Sequence, residues 1–316
     1  MNPLFPSPLG STERLTLHHR DGAEFDVLSG RGGALVGWRV PGVPQDLLDG
    51  YADEADLTAR YHSSHCGARL SPFPNRVCDG HWRWRGKDYQ LPKNFPWENG
   101  HAIHGLLFDL HWRQIGLKSE GDAVWMTLRC DYDGSDPGFP MAFQAESCYG
   151  LYAQGFEVVS RIRNTGSEDL PCGEGWHPYF RPGCRIDRAE LQFSSLVSRV
   201  ELDDRSIPTG QMTQDNDFAQ PVVLGKRNLN TCWLYSGKEP RFEVRLRNPA
   251  TGFTLRYWQD AQVYPYLQLY TPPTRESLAI EPMSCPADVL NNHKNLLELR
   301  PGETQEWRFG AMVDGI

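Results

Sequence analysis

Three polar side chains sit in apolar, strand-forming surroundings, and their types suit proton transfer. The first is Glu281, in Leu278-Ala-Ile-Glu-Pro282. Strand alternation puts Leu278 and Ile280 on one face and Ala279 with Glu281 on the other, with Pro282 expected to end the ladder. A carboxyl beside a core loses water, so its pKa rises toward neutrality, the condition for a useful general base. The alternative is a solvated edge glutamate. The second is His177, in Gly173-Glu-Gly-Trp-His-Pro-Tyr-Phe180. In an extended chain His177 and Tyr179 share one face, while Trp176, Pro178 and Phe180 share the other. An imidazole, with a reference pKa of about 6.5, is a proton donor near neutral pH and suits a general acid. The alternative here is a hydrogen-bonded core histidine. The third is His104, in Asn99-Gly-His-Ala-Ile-His-Gly105, where Gly105 lets the backbone turn tightly beside the ring. If Glu281 and His177 act in one step, the rate is expected to be bell-shaped in pH, with Glu281 setting the acid limb and His177 the alkaline one.

A metal is the competing use of ten histidines, because His62 with His65 and His101 with His104 both have H-x-x-H spacing. On a strand, residues three apart point to opposite faces, and Gly100 and Gly105 disfavour a helix around the second pair. Neither pair is completed by a Cys or carboxylate to a set of three or four ligands, so no metal site is assigned. The sequence also lacks G-x-x-x-x-G-K-[ST], a G-x-G-x-x-G after a strand, and G-x-S-x-G, which removes the commonest nucleotide and serine-hydrolase signals.

The elements that must position these groups are strands. From about Val124 onward, short runs of β-branched and aromatic residues alternate with turn residues: 124–130, 156–162, 242–246, 253–258, 266–270 and 277–281. Asn248-Pro-Ala-Thr-Gly252 reads as a hairpin loop between two of them. Residues 211–224 read as a long surface loop, and 287–299 as the place of one short helix. Thirty glycines and 24 prolines break the chain too often for a long-helix protein. Many short antiparallel strands mean an all-β sandwich or barrel. With no linker of biased composition and no internal repeat, the chain is expected to be one domain, residues 1–316.

Composition narrows the partners. Thirty-two Lys and Arg against 40 Asp and Glu leave a net charge of −8, which removes the general attraction to a nucleic-acid backbone. No stretch approaches a membrane-spanning length of apolar residues, and the first ten residues lack a signal peptide's basic and apolar regions, so a cytoplasmic location is expected. The eight scattered cysteines contain no C-x-x-C pair and read as reduced thiols. No sequence feature assigns an oligomeric state.

Taken together, the segments resemble the aldose 1-epimerase (galactose mutarotase) family. Asn75-Arg-Val77 with Gly80 resembles the family's N-R-I and following G, and Gly86-Lys-Asp-Tyr-Gln-Leu91 its G-x-x-Y-x-L. Ile103-His-Gly105 resembles its L-H-G, Gly138-Phe-Pro140 its G-[FY]-P, and Trp176-His-Pro-Tyr-Phe180 its H-P-Y-F segment. Ala279-Ile-Glu-Pro282, with Cys285-Pro-Ala-Asp288 and Asn291, resembles the stretch carrying the catalytic glutamate, and Leu299-Arg-Pro-Gly-Glu303 the closing L-x-P-G-E. Each motif alone is short; their shared order from about residue 67 to the C-terminus carries the match.

The resemblance implies a galactose mutarotase-like supersandwich of large, mostly antiparallel sheets and an isomerase that interconverts the α and β anomers of an aldose or aldose 6-phosphate. Glu281 would take the proton from the C1 hydroxyl and His177 would give one to the ring oxygen. After rotation about C1–C2 the two groups would act in reverse to close the ring. His104 would orient the sugar, Arg76 would hold ring hydroxyls, and Asn75, Asn230, Tyr179 and Trp176 would complete the sugar site, with Trp97 as a further aromatic platform. No cofactor is needed, and the partner is a small sugar. The family's aspartate in L-D-x-x-F is replaced in Leu229-Asn-Thr-Cys-Trp233 by Asn230, which keeps an acceptor oxygen but gains donors and loses the charge. A 6-phosphate would call for Arg69 or Arg76 as its grip. Two other readings follow from the same residues. One is a non-catalytic carbohydrate-binding or sugar-sensing protein on this fold. The other is a glycoside hydrolase, with Asp288 or Glu174 as a second carboxylate.

Overall fold

The computed structural model describes residues 3–94 and 100–315. The strands gather into two large antiparallel sheets. The larger has nine strands in the spatial order Val222–Val223, Glu190–Phe193, Arg241–Arg247, Thr254–Asp260, Thr304–Asp314, Gly155–Asn164, Phe143–Tyr152, Ala123–Tyr132 and Arg113–Glu120. The smaller has six: Tyr179–Phe180, Leu278–Met283, Tyr266–Tyr270, Asn230–Tyr235, Val197–Leu202 and Pro208–Asp215. An N-terminal sheet of four strands, Leu4–Leu9, Thr12–His18, Glu24–Leu28 and Ala34–Arg39, packs beside them. The architecture is the all-β supersandwich.

The core lies between the facing sheets, and aromatic side chains bridge it. Phe156 of the larger sheet stacks on Phe180 of the smaller, ring centroids 6.4 Å apart, and Phe193 meets Trp233 edge-on at 5.4 Å. Phe25 and Trp38 of the N-terminal sheet reach the same Phe156 at 4.8 and 5.0 Å. Alternation then decides what faces outward on the smaller sheet. Leu267 and Leu269, like Leu278 and Ile280, enter the core, so Gln268, Tyr270, Ala279 and Glu281 take the opposite face. The register places Gln268 directly opposite Glu281, and Tyr270 opposite both Asn230 and Ala279. That outer face is the floor of the site.

Several expectations need correction. Strands begin at Leu4 rather than near Val124, and the 211–224 loop is partly strand, since Pro208–Asp215 pairs with Val197–Leu202 and Val222–Val223 pairs with Glu190–Phe193. Pro282 does not end its strand, which runs to Met283 with Pro282 opposite Leu267. Its carbonyl is engaged by the backbone N–H of Trp176, so the ladder loses only a donor that proline never had. The Asn248–Gly252 hairpin loop and a short helix in 287–299, Val289–Asn292, are both present.

One helix, Glu54–Ser64, was not read from the sequence. Asp53 caps its N-terminus, the side chain accepting the Asp56 N–H at 2.9 Å. Leu57 and Tyr61, four apart, bury one stripe. The helix stops at His65, which holds the left-handed conformation at φ 48° and sends its N–H to the Tyr61 carbonyl. Among the described residues, no helix is long and apolar enough to cross a membrane.

Candidate active site

On the outer face of the six-stranded sheet lies a cleft that opens to solvent. Glu281, Gln268, Tyr270 and Asn230 form its floor; His177 and Tyr179, Asn75 and Arg76, Ile103 and His104, and Ser63, Ser64 and His65 form its walls. Among the described residues, the proton-transfer pair and every residue assigned to the sugar's hydroxyls or aromatic contacts except Trp176 meet here. Trp176 is fully buried in the core, donating its indole N–H to Ser160 at 2.8 Å and packing on Phe309. The alternation that turns His177 outward turns Trp176 inward, so it offers no face to a sugar. Trp97 lies outside the described residues.

Glu281 and His177 form the centre. His177 Nε2 stands 3.5 Å from Glu281 Oε1, and both side chains are buried. The His177 ring stacks on Tyr179, 4.8 Å between centroids and 9° from parallel, while the Tyr179 hydroxyl donates to the Ser64 carbonyl at 3.0 Å. Tyr270 meets both rings edge-on. The imidazole is thus fixed in plane.

Desolvation pushes Glu281 well above the usual carboxylate range, with the nearby Arg76 guanidinium opposing it, and the same burial holds His177 down at about 3. This corrects the expectation of a standing imidazolium: burial favours the proton of the pair on the carboxyl. A shift across 3.5 Å gives the carboxylate–imidazolium arrangement.

Asn75 organises the facing wall. At φ 60° its carbonyl accepts the N–H of His104, and its own N–H donates to His104 Nδ1 at 3.3 Å. That bond leaves the ring proton on Nε2. Burial keeps His104 neutral, so it is a neutral donor. The Asn75 side-chain oxygen accepts from the Arg76 N–H and from Arg76 Nη1, both at 2.9 Å. Gly105, at φ 74°, lies so close to the Ser71 carbonyl that a Cβ would collide with it, which is why glycine follows His104. On the floor, Gln268 Nε2 donates to Asn230 Oδ1 at 2.9 Å, so the Asn230 amide nitrogen is turned to other acceptors.

The charged residues held in reserve by the sequence do other work. Arg69 is buried away from the cleft, bidentate to Glu174 at 2.8 and 3.0 Å and bonded to the Glu146 carbonyl and Ser147. Asp288 accepts the Cys78 N–H and the Asn291 amide. Glu281 is therefore the one carboxylate among the described residues lining the cleft, and neither Asp288 nor Glu174 faces it there as a second carboxylate. The H-x-x-H pairs diverge: His62 lies near Asp109 while His65 enters the cleft, and His101 accepts the Asp79 N–H while His104 bonds Asn75.

The sequence profile of aldose 1-epimerases matches residues 13–310. The chain belongs to the aldose 1-epimerase family. It is similar to the uncharacterised protein YihR of Escherichia coli K12, 28% identical over 78% of each chain. It is also similar to the galactose mutarotase of Mus musculus, 24% identical over 94% of this chain and 93% of that one. A galactose mutarotase-like protein of Clostridium acetobutylicum superposes with a TM-score of 0.86 at 18% identity, covering 99% and 98% of the two chains. The galactose 1-epimerase of Lactobacillus acidophilus superposes at 0.80 with 16% identity over 98% of each. Membership in this isomerase family accounts for the sheet order and leaves the reaction to be argued from the cleft.

Gln268, Tyr270, Ser63 and Ser64 were not singled out from the sequence, and His65 only as half of an H-x-x-H pair. Gln268 had a readable signal, a polar residue between Leu267 and Leu269 in a recognised strand. The helix residues carried none without the helix.

Proposed function

We propose that the protein interconverts the α and β anomers of a free aldose by general acid–base opening and closing of the ring. The observation that carries this reading is the buried Glu281–His177 pair, whose facing atoms lie 3.5 Å apart at the floor of the cleft. Ring opening needs the C1 hydroxyl proton removed and a proton supplied to the ring oxygen. Glu281 as carboxylate takes the first, and His177 as imidazolium gives the second. The pair then holds its proton on Glu281, the arrangement that burial favours. After rotation about C1–C2, Glu281 returns the proton to the carbonyl oxygen, His177 recovers the one on the ring hydroxyl, and the ring closes on its other face. One proton stays on the pair throughout. Such catalysis supplies about 10² to 10⁴ per group, and no cofactor is called for.

His104, Arg76, Asn75, Asn230 and Gln268 hold the ring hydroxyls. A neutral aldose suits this lining better than a 6-phosphate, because Arg69 is committed to Glu174 and Arg76 is the single Lys or Arg among the described lining residues. Polarimetry on freshly dissolved α-D-glucose and α-D-galactose tests the reading. Equilibration faster than buffer is expected; saturable sugar binding without acceleration would instead make the protein a carbohydrate-binding member of the fold.

A further inference from the structure

The cleft contains a histidine that the acid–base cycle leaves unused. His65 is 3% exposed, so it is not a surface residue that happens to border the cleft. It occupies the left-handed C-terminal position of the Glu54–Ser64 helix, where glycine or asparagine costs least. Its ring is clamped between His104, 4.6 Å between centroids, and Phe108 at 5.0 Å. Neither ring nitrogen has a hydrogen-bond partner among the described residues. Ring packing alone does not use the donor and acceptor of this buried imidazole, which sits on a backbone that disfavours its side chain and lines the same cleft as Glu281 and His177.

We infer that His65 is a specificity-determining residue, hydrogen-bonding the exocyclic hydroxyl on C6 of an aldohexose. The inference rests on the proposed anomer exchange, which fixes the ring's orientation. The three histidines form one cluster on the wall: the His104 centroid lies 5.4 Å from that of His177 and 4.6 Å from that of His65. With O1 at Glu281 and the ring oxygen at His177, the next ring atom away from O1 is C5, which carries the C6 arm. A C6 arm beside His177 therefore falls on the wall that His104 and His65 share. Burial also holds His65 down at about 3, so it meets a neutral hydroxyl as a neutral donor or acceptor and adds no cation for a phosphate.

Sugar pairs that differ only at C6 provide the test: D-glucose against D-xylose, and D-galactose against L-arabinose. Mutarotation by polarimetry and equilibrium binding by calorimetry are measured on the wild type, on His65→Phe, which keeps a ring between His104 and Phe108, and on His65→Asn, which tolerates the left-handed backbone. The wild type is expected to favour each hexose over its pentose by about tenfold in kcat/KM, the size of one hydrogen bond whose partner is otherwise left unpaired. His65→Phe should bring that ratio to near one, mainly through KM, with kcat on the pentoses and the pH profile unchanged, and His65→Asn should restore part of it. A ratio unchanged in His65→Phe while the wild type catalyses mutarotation overturns the assignment of His65 and leaves the proposed function standing. Absence of both turnover and binding in the wild type overturns both. An equal loss of kcat on hexose and pentose would make His65 a packing residue and overturn its specificity role.

Discussion

Glu281 lies on the strand Leu278–Met283 and His177 two residues ahead of its neighbour Tyr179–Phe180, and the pairing of Tyr179 with Ala279 brings their side chains to 3.5 Å. Two residues on, in opposite directions along antiparallel strands, the chain delivers a carboxyl and an imidazole to one buried point. Because one proton serves both, removing either group should cost nearly as much as removing both. Glu281→Gln and His177→Asn are each expected to lower kcat by at least about a hundredfold with sugar affinity within tenfold, and the double variant by little more. Fully additive losses in polarimetry would show that the groups act separately.

Alternation carried most of what the sequence could say. It assigned His177 and Tyr179 to one face, Trp176 and Phe180 to the other, and Glu281 opposite Ile280, because period two survives whatever the sheet order is. It could not say that Trp176 faces the core, since which face is buried depends on the sheet that packs against it. Arg69 was misread for a related reason. Its role is set by Glu174, 105 positions away, and nothing local distinguishes a buried ion pair from a ligand grip. The cleft wall at Ser63–His65 depended on a helix whose only burial stripe is Leu57 and Tyr61, too thin a pattern to read as amphipathic.

The Arg69–Glu174 pair gives a stability prediction free of the active site. Both side chains are fully buried, and Arg69 also satisfies two carbonyls and Ser147. Arg69→Met leaves the Glu174 carboxylate uncompensated and should destabilise the protein by about 3–5 kcal/mol. The double variant Arg69→Met with Glu174→Gln should recover part of that loss. Urea denaturation decides the matter: an Arg69→Met midpoint like that of the wild type would mean the pair is dispensable.

Three buried histidines should make the fold sensitive to mild acid. His65 and His177 are held down at about 3, and His104 well below its ordinary value, each chiefly by burial. In the unfolded chain they titrate near 6.5. A base whose folded pKa is depressed contributes its full stability above the unfolded pKa. It loses that contribution as pH falls from about 6.5 toward the folded value, because only the unfolded state then takes up the proton. Each histidine adds a slope of up to about 1.4 kcal/mol per pH unit in that window. Glu281, whose raised pKa gives a slope of opposite sign over the same window, offsets part of this, so the readout is a difference: any decline in melting temperature from pH 7 to pH 5 should be shallower in His65→Phe than in the wild type. A decline of unchanged slope in that variant would mean His65 is protonated in the folded protein.

The same shifts reverse the expected assignment of the pH–rate limbs. The working pair carries one proton, so activity requires neither two nor none. A second proton must go onto His177, held at about 3, so the acid limb of kcat/KM should lie well below the ordinary imidazole value and activity should be flat from pH 5 to 7. The last proton leaves Glu281, whose pKa burial has raised, so the alkaline limb belongs to the carboxyl. Arg76 provides the check on sign. Its positive charge opposes the rise of Glu281, so Arg76→Gln should let the carboxyl hold its proton to still higher pH and move the alkaline limb upward, alongside a larger KM from lost hydroxyl contacts. Profiles measured on glucose for both proteins distinguish the two assignments. An alkaline limb that stays in place, or moves down, would return the alkaline proton to His177.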